Sequence, residues 1–177
     1  MNRRTRVFSI VAGVLAATLI AACSDEATAP SAPALAVAGT TRPPTITPCT
    51  QPYGAASVWI GPNGGRVKAG GHILNVPAGA LKAATLITME TPSGNIGHVV
   101  FGPEGLTFNS DYPAHLVMGY QNCVVAPNAI QQVAYTSATL NILETQPSVS
   151  DPATLTVDAK LTHFSDYVIV STYAVAY

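Results

Sequence analysis

The chain contains 177 residues, of which 48% are hydrophobic and 10% charged, and its formal net charge is −1. This length suits one ordinary domain rather than two. Because the sequence has no basic patch, a nucleic acid is not an expected partner.

The first 22 residues have the layout of a secretory signal peptide. Arg3, Arg4 and Arg6 precede an uncharged run over residues 7–22, which is shorter than the roughly 20 residues of a membrane-spanning helix. The run ends at Ile20-Ala21-Ala22-Cys23, which resembles a bacterial lipobox. The resemblance implies that Cys23 is acylated and becomes the first residue of the mature protein. The alternative is an uncleaved signal anchor.

Cleavage before Cys23 would leave five of the eight basic residues and all nine acidic ones, which gives a net charge of −4. That balance disfavours anionic headgroups as partners, so the lipid on Cys23 is the expected link to the membrane. In bacteria with two membranes, a serine after the lipidated cysteine, here Ser24, usually does not signal inner-membrane retention. The expected location is therefore the cell envelope, at the outer membrane or cell surface rather than the inner membrane.

Residues 23–52 are rich in alanine, proline and threonine. Prolines every few residues prevent a regular helix and favour extended, solvated backbone. This segment is therefore predicted to be a disordered tether, and the folded domain is expected over residues 53–177.

Cys49 and Cys123 remain as one pair if Cys23 carries lipid. Thiols oxidise outside the cytoplasm, so a Cys49–Cys123 disulfide is expected, and two separately buried thiols are the alternative. No metal or other cofactor is expected, because these cysteines and the histidines lack the short ligand spacings of zinc sites. The histidines are His72, His98, His115 and His163.

From residue 53 onwards the sequence predicts about nine or ten short strands spaced 8–14 residues apart, which is typical of a single all-β sandwich. Asn63-Gly64 predicts a tight hairpin turn. Residues 155–162 alternate apolar and polar, as a strand with one solvated face does, whereas residues 167–170 are apolar on both faces and indicate a central strand. One helical turn is predicted over residues 77–82.

Five segments of the predicted domain carry a family resemblance, and they cover about residues 57–175. They are Gly64–Val67, Leu74–Leu81, Phe101–Phe108, Pro113–Leu116 and Leu161–Tyr167. In their order and spacing they resemble the ZU-five domain, a β-sandwich module shared by zona-occludens scaffolds, netrin receptors and ankyrins. The insertion around residues 122–128 departs from the family pattern and leaves the middle strands open.

The segment His163-Phe164-Ser165 suggests one kind of chemistry. In some relatives, notably a death-domain adaptor, a similar segment breaks itself between Phe and Ser. The resemblance implies that the Ser165 hydroxyl attacks the Phe164 carbonyl to form an ester that water opens, with His163 as general base. In the cleaving relatives aromatic residues follow the serine, whereas Asp166 follows it here. The favoured interpretation is a packing role, in a bend between two strands with Phe164 inside.

Other catalytic arrangements are disfavoured. A Ser-His-Asp triad drawn from Asp158 or Asp166, His163 and Ser165 would crowd one hairpin, whereas a triad needs side chains that converge in space. Asp158 and Lys160 are interpreted as a solvated surface, because they lie on the polar face of the alternating strand.

Trp59, the only tryptophan, is interpreted as a core anchor, because Val58 and Ile60 flank it in an apolar strand. The alternative is a platform on which a sugar ring stacks. Since no catalytic constellation stands out, the expected function is a lipid-anchored protein-interaction or scaffolding module without catalysis on external substrates. Its expected partner is an envelope or extracellular protein or a cell-wall glycan. Self-processing at Phe164–Ser165 and carbohydrate binding are the alternatives.

Overall fold

Alternating buried and exposed residues run through most of the chain and form an all-β fold, as predicted. The structure is a computed structural model that describes residues 42–173. Within that range there is no helix, so none is long and apolar enough to cross a membrane. Residues 77–82 form turns and bends in place of the predicted helical turn. The predicted signal peptide, Cys23 and most of the predicted tether lie outside the described residues.

The described chain contains fourteen strands. Twelve of them lie after residue 53, more than the nine or ten expected there, because several strands of three or four residues are too short to show a period. They are β1 (Thr45–Ile46), β2 (Pro48–Gln51), β3 (Gly54–Ile60), β4 (Gly65–Ala69), β5 (His72–Val76), β6 (Thr85–Thr91), β7 (Gly94–Ile96), β8 (His98–Gly102), β9 (Ala114–Gly119), β10 (Ala129–Thr136), β11 (Ile142–Thr145), β12 (Ser148–Asp151), β13 (Thr156–Leu161) and β14 (Asp166–Tyr173).

The strands form two main sheets and a two-stranded ribbon. The seven-stranded sheet has the order β11-β10-β14-β8-β6-β3, and β1 also pairs with β14. The five-stranded sheet has the order β12-β13-β9-β5-β4, and the ribbon joins β2 to β7. Residues from both main sheets contribute to one buried apolar cluster, so the domain is a β-sandwich.

Two strands match their predicted environments closely. In β13, Val157, Ala159 and Leu161 are buried while the residues between them face outwards, as the alternation predicted. In β14, residues 167–171 are all buried. The reason is that one face of β14 packs in the main core and the other carries a smaller apolar cluster that includes Val168 and Val170.

The folded domain begins earlier than residue 53, and the predicted end of the tether at residue 52 is wrong. Residues 45–51 form β1 and β2, and Thr47 between them is fully buried. The Thr47 hydroxyl donates to Gln131 Oε1 at 2.9 Å and lies 2.9 Å from Ser171 Oγ. These strands were missed because the prolines indicate a disordered tether. Proline is, however, compatible with short edge strands and with the first position of a strand, and Pro48 is the first residue of β2.

Candidate functional site

A disulfide joins Cys49 in β2 to Cys123 in the segment between β9 and β10, as predicted. Backbone hydrogen bonds hold the two segments together on either side of it. The Thr50 amide donates to the Asn122 carbonyl, and the Val124 amide donates to the Pro48 carbonyl, both at 2.8 Å. The bond therefore ties the start of the domain to its middle.

Next to this disulfide, His72 and Gln51 form a buried hydrogen-bonded pair. His72 Nε2 lies 2.9 Å from Gln51 Oε1, and the Gly119 amide donates to His72 Nδ1 at 3.1 Å. His72 Nδ1 accepts a hydrogen bond, so it carries no proton. Gln51 Oε1 can only accept hydrogen bonds, so His72 Nε2 must donate to it. The imidazole is therefore the neutral tautomer with its proton on Nε2. Burial lowers the pKa of His72 from 6.5 to about 4.

The Gln51 side chain extends this network towards the seven-stranded sheet. Its Nε2 donates to the carbonyls of Pro92 and His98, at 2.8 and 2.7 Å, and its Oε1 accepts the His98 amide at 3.0 Å. Both side-chain atoms of the buried amide are therefore satisfied, and the network joins β5 and β9 to β2 and β8. All of these hydrogen bonds join residues of the domain to one another, so we interpret the network as structural.

At the segment considered for self-cleavage, Phe164 is 1% exposed and packs among other aromatic rings. Its ring stacks on Phe101, with 4.7 Å between the ring centroids, and meets Phe108 edge-on at 5.0 Å. The Phe164 amide donates to the Leu106 carbonyl at 2.7 Å, and its carbonyl accepts the Gly105 amide at 3.3 Å. These contacts fit the packing interpretation of this bend.

The His163 and Ser165 side chains are not joined by a hydrogen bond in the described structure. The His163 ring packs edge-on against Tyr135, with 5.0 Å between centroids, and its Nδ1 lies 3.5 Å from Thr162 Oγ1. The described non-glycine residues with positive φ lie elsewhere, at positions 128, 140 and 155, so no strain of that kind marks the Phe164–Ser165 bond. Self-cleavage at this bond stays an untested alternative to the favoured packing role.

The two aspartates considered for a triad, Asp158 and Asp166, lie beside His115 and His98 rather than forming an ion pair with His163. Asp158 Oδ1 lies 3.1 Å from His115 Nδ1. Asp166 Oδ2 lies 3.8 Å from His98 Nε2, which is buried and has no hydrogen-bond partner. Burial lowers the pKa of His98, and the charges of Asp166 and Glu90 oppose this shift.

His115, Asp158 and Lys160 line a groove of about 870 Å³ on the outer face of the five-stranded sheet. Two hydroxyl groups also line it, and both are already engaged. Ser148 Oγ donates to the Gln146 carbonyl at 2.7 Å, and Thr156 Oγ1 lies 2.8 Å from Thr154 Oγ1. The groove therefore offers an imidazole–carboxylate pair whose neighbouring hydroxyl groups are already hydrogen-bonded. Among the described residues, no three His, Cys, Asp or Glu side chains are placed to hold a metal ion.

The prediction that Trp59 anchors the core is wrong, because its side chain is 69% exposed. Successive residues of a strand point to opposite faces, so the apolar neighbours of Trp59 do not share its face. Ile60 faces the core and is buried, whereas Trp59 lies on the outer face beside its register partner Leu86, which is 41% exposed. The structure thus places the largest side chain of the domain in solvent.

Trp59 belongs to a strand with one unpaired side. β3 pairs with β6 through seven consecutive residue pairs, and no strand pairs with its other side within residues 42–173. Its sequence, Gly-Ala-Ala-Ser-Val-Trp-Ile, contains no charged residue and no proline. We name the unpaired side of β3, with the side chains of Ser57, Val58 and Trp59, the β3 edge.

Two features of this edge could have been inferred from the sequence. The alternation through Val58, Trp59 and Ile60 implies that the tryptophan faces away from the flanking residues, and the lack of charge in β3 is visible directly. The position of β3 at the end of a sheet, however, depends on which strands pair across the domain. The edge is the candidate functional site that the structure adds.

Compared with known proteins, the chain matches no protein-family model and no curated protein sequence.

Proposed function

We propose that this chain is a lipid-anchored cell-envelope protein whose β-sandwich binds an extended segment of protein at the β3 edge, without catalysis on external substrates. One observation carries the proposal. An uncharged, unpaired strand of seven residues ends the larger sheet and bears a tryptophan that is 69% exposed.

An unpaired strand offers a row of free N–H and C=O groups to a further strand. Proteins usually protect such an edge with charges, proline or a bulge. β3 has none of these, because its register with β6 is continuous from Gly54 to Ile60. In strand addition the main chain supplies affinity and alternate side chains supply specificity.

Trp59 adds an apolar contact to this main-chain recognition. Tryptophan is among the residues that dominate the energetics of protein interfaces. Burial of a large apolar side chain stabilises a complex by about 1.5–3 kcal/mol. Leu86 continues the apolar surface on the neighbouring strand, so a partner side chain can contact both residues.

The predicted anchor supports the same role. With lipid on Cys23, the segment between the membrane and the described domain would consist of residues 24–41, which span up to about 56 Å when extended at ~3.1 Å per residue. This reach would let the domain meet proteins beside the membrane. The resemblance to the ZU-five domain, which occurs in scaffold proteins, agrees with a binding role.

Replacement of Trp59 by alanine tests the proposal. We expect W59A in the full chain, immobilised and exposed to an envelope extract, to retain at least tenfold less of any protein that the wild type retains. The physical reason is the loss of the largest apolar contact at the edge. The matched control is V149A, since Val149 is 75% exposed on the other sheet. Equal retention by W59A and the wild type would refute the assignment.

Carbohydrate binding is a second candidate, and the exposure of the Trp59 indole favours it. Ser57, Thr88 and Glu90 lie on the same face of the sheet as Trp59 and present hydroxyl and carboxylate groups. A sugar ring stacked on the indole could bond to such groups. Soluble cell-wall glycan added to the same retention experiment separates the candidates. Competition by the glycan would assign the site to carbohydrate, whereas a protein partner is retained regardless.

The mass of the full chain, purified with its lipid and measured without reductant, tests the covalent predictions together. We expect one species that begins at Cys23, carries acyl groups and is lighter by two hydrogen atoms because Cys49 and Cys123 are joined. The variant C23A is expected to lack the acyl mass. Two fragments that end at Phe164 and begin at Ser165, and that disappear in S165A, would instead establish self-processing.

A further inference from the structure

The order of residues along β3 makes the β3 edge complementary to itself. The first three residues, Gly54–Ala56, are small, and the last three, Val58–Ile60, are large. Ser57 lies at the centre of the seven. A strand that meets a second copy of itself in antiparallel orientation about its centre brings each small residue opposite a large one.

We propose that the β3 edge pairs with the β3 edge of a second copy of this chain, antiparallel about a two-fold axis that passes through Ser57. This inference rests on the proposed function and names the partner at the same site. An isologous contact of this kind uses the same surface twice and closes at two copies. It joins the two seven-stranded sheets through one new ladder of backbone hydrogen bonds.

Side-chain sizes match on both faces of the joined strands. On the outer face, Trp59 of each copy lies opposite Ala55 of the other, so the indole covers a small residue and meets no second indole. On the inner-facing side, Val58, which is 38% exposed, lies opposite Ala56 of the other copy. Directly opposed residues have Cβ atoms about 4.5–5.5 Å apart, which is close enough for these contacts.

The charges nearest the edge lie on the strands beside β3. β3 itself is uncharged, Glu90 on β6 is aligned with Ala55, and Arg66 and Lys68 are exposed on β4, which follows β3 after the turn at Gly61–Gly64. In the pair, the two copies of Glu90 would lie three strand spacings apart, about 14 Å, and about 13 Å apart along the strands. Their separation of about 19 Å exceeds the screening length of about 8 Å at physiological salt, so they do not repel appreciably.

Charge substitutions at Ser57 test the pairing, because Ser57 alone meets its own copy on the axis. We expect the wild-type full chain, in detergent micelles corrected for bound detergent, to sediment as a dimer. S57K and S57E should each sediment as monomers, with dimer dissociation constants raised at least tenfold by like charges directly opposed. An equimolar mixture of S57K and S57E should restore the dimer. V149K, which places a lysine on the other sheet, should remain dimeric.

The outcomes separate this inference from the proposed function. A monomeric wild type, or a dimer that S57K leaves unchanged, would overturn the self-pairing. If the wild type is monomeric and W59A still loses a retained envelope protein, the edge binds another protein and only the self-pairing fails. A dimer sensitive to S57K, without any retained protein that W59A affects, would show that the edge serves self-association alone. Restoration by the charge-swapped mixture shows that the variants are folded.

Discussion

Replacement of Phe164 by alanine is expected to lower the free energy of unfolding by about 3–5 kcal/mol, the usual cost of removing a buried phenylalanine ring. Phe164 is 1% exposed and contacts the rings of Phe101 and Phe108. Its removal leaves a cavity between the two sheets and abolishes both ring contacts. Denaturant unfolding at neutral pH, followed by far-UV circular dichroism, measures the effect.

The matched control for this substitution is Y112A. Tyr112 is an aromatic residue that is 49% exposed, and its replacement should change the free energy of unfolding by less than about 0.5 kcal/mol. A loss below about 1 kcal/mol for F164A would contradict the packing role that we assign to the His163-Phe164-Ser165 bend. The prediction therefore bears on whether this segment is structural.

Acidification from pH 6.5 to pH 4 is expected to destabilise the domain by about 3 kcal/mol through His72 alone. The pKa of His72 falls from 6.5 to about 4 because the side chain is buried. Between these values the unfolded chain binds a proton that the folded chain does not, so stability decreases as the pH falls. More than about one unit above pH 6.5 or below pH 4, this contribution levels off, because His72 then has the same protonation state in the folded and unfolded chains.

The variant H72Q tests this assignment. Its slope of unfolding free energy against pH between 6.5 and 4 should be shallower than that of the wild type. His98, whose pKa is also lowered by burial, contributes to the slope that remains. H115Q is the control, since the His115 side chain is 38% exposed. If H72Q keeps the full wild-type slope, His72 is not the titrating group.

The fold could be predicted where a long strand shows one clear pattern. The alternation in residues 155–162 predicted β13, and the apolar run at 167–170 predicted β14. β1 and β2 could not be predicted in the same way, because two to four residues show no period and their partners lie far along the chain. β10 was also missed, since it follows the unfamiliar insertion at residues 122–128.

The candidate site depends on information that is only partly local. Trp59 was assigned to the core because Val58 and Ile60 are apolar, yet neighbours along a strand lie on opposite faces. The disulfide could be predicted by counting cysteines. The hydrogen bonds of His72 to Gln51 and Gly119 could not, because they join residues from three different strands.

The most direct test of the β3 edge is the amount of envelope protein retained by W59A relative to V149A, measured on full chains shown to unfold at the same temperature. Both substitutions remove an exposed apolar side chain, but Trp59 lies on the uncharged β3 at the end of the seven-stranded sheet, whereas Val149 lies on β12 at the end of the other sheet. We predict at least a tenfold loss for W59A and no loss for V149A. Equal retention by the two variants would contradict the proposal that this edge is the binding surface.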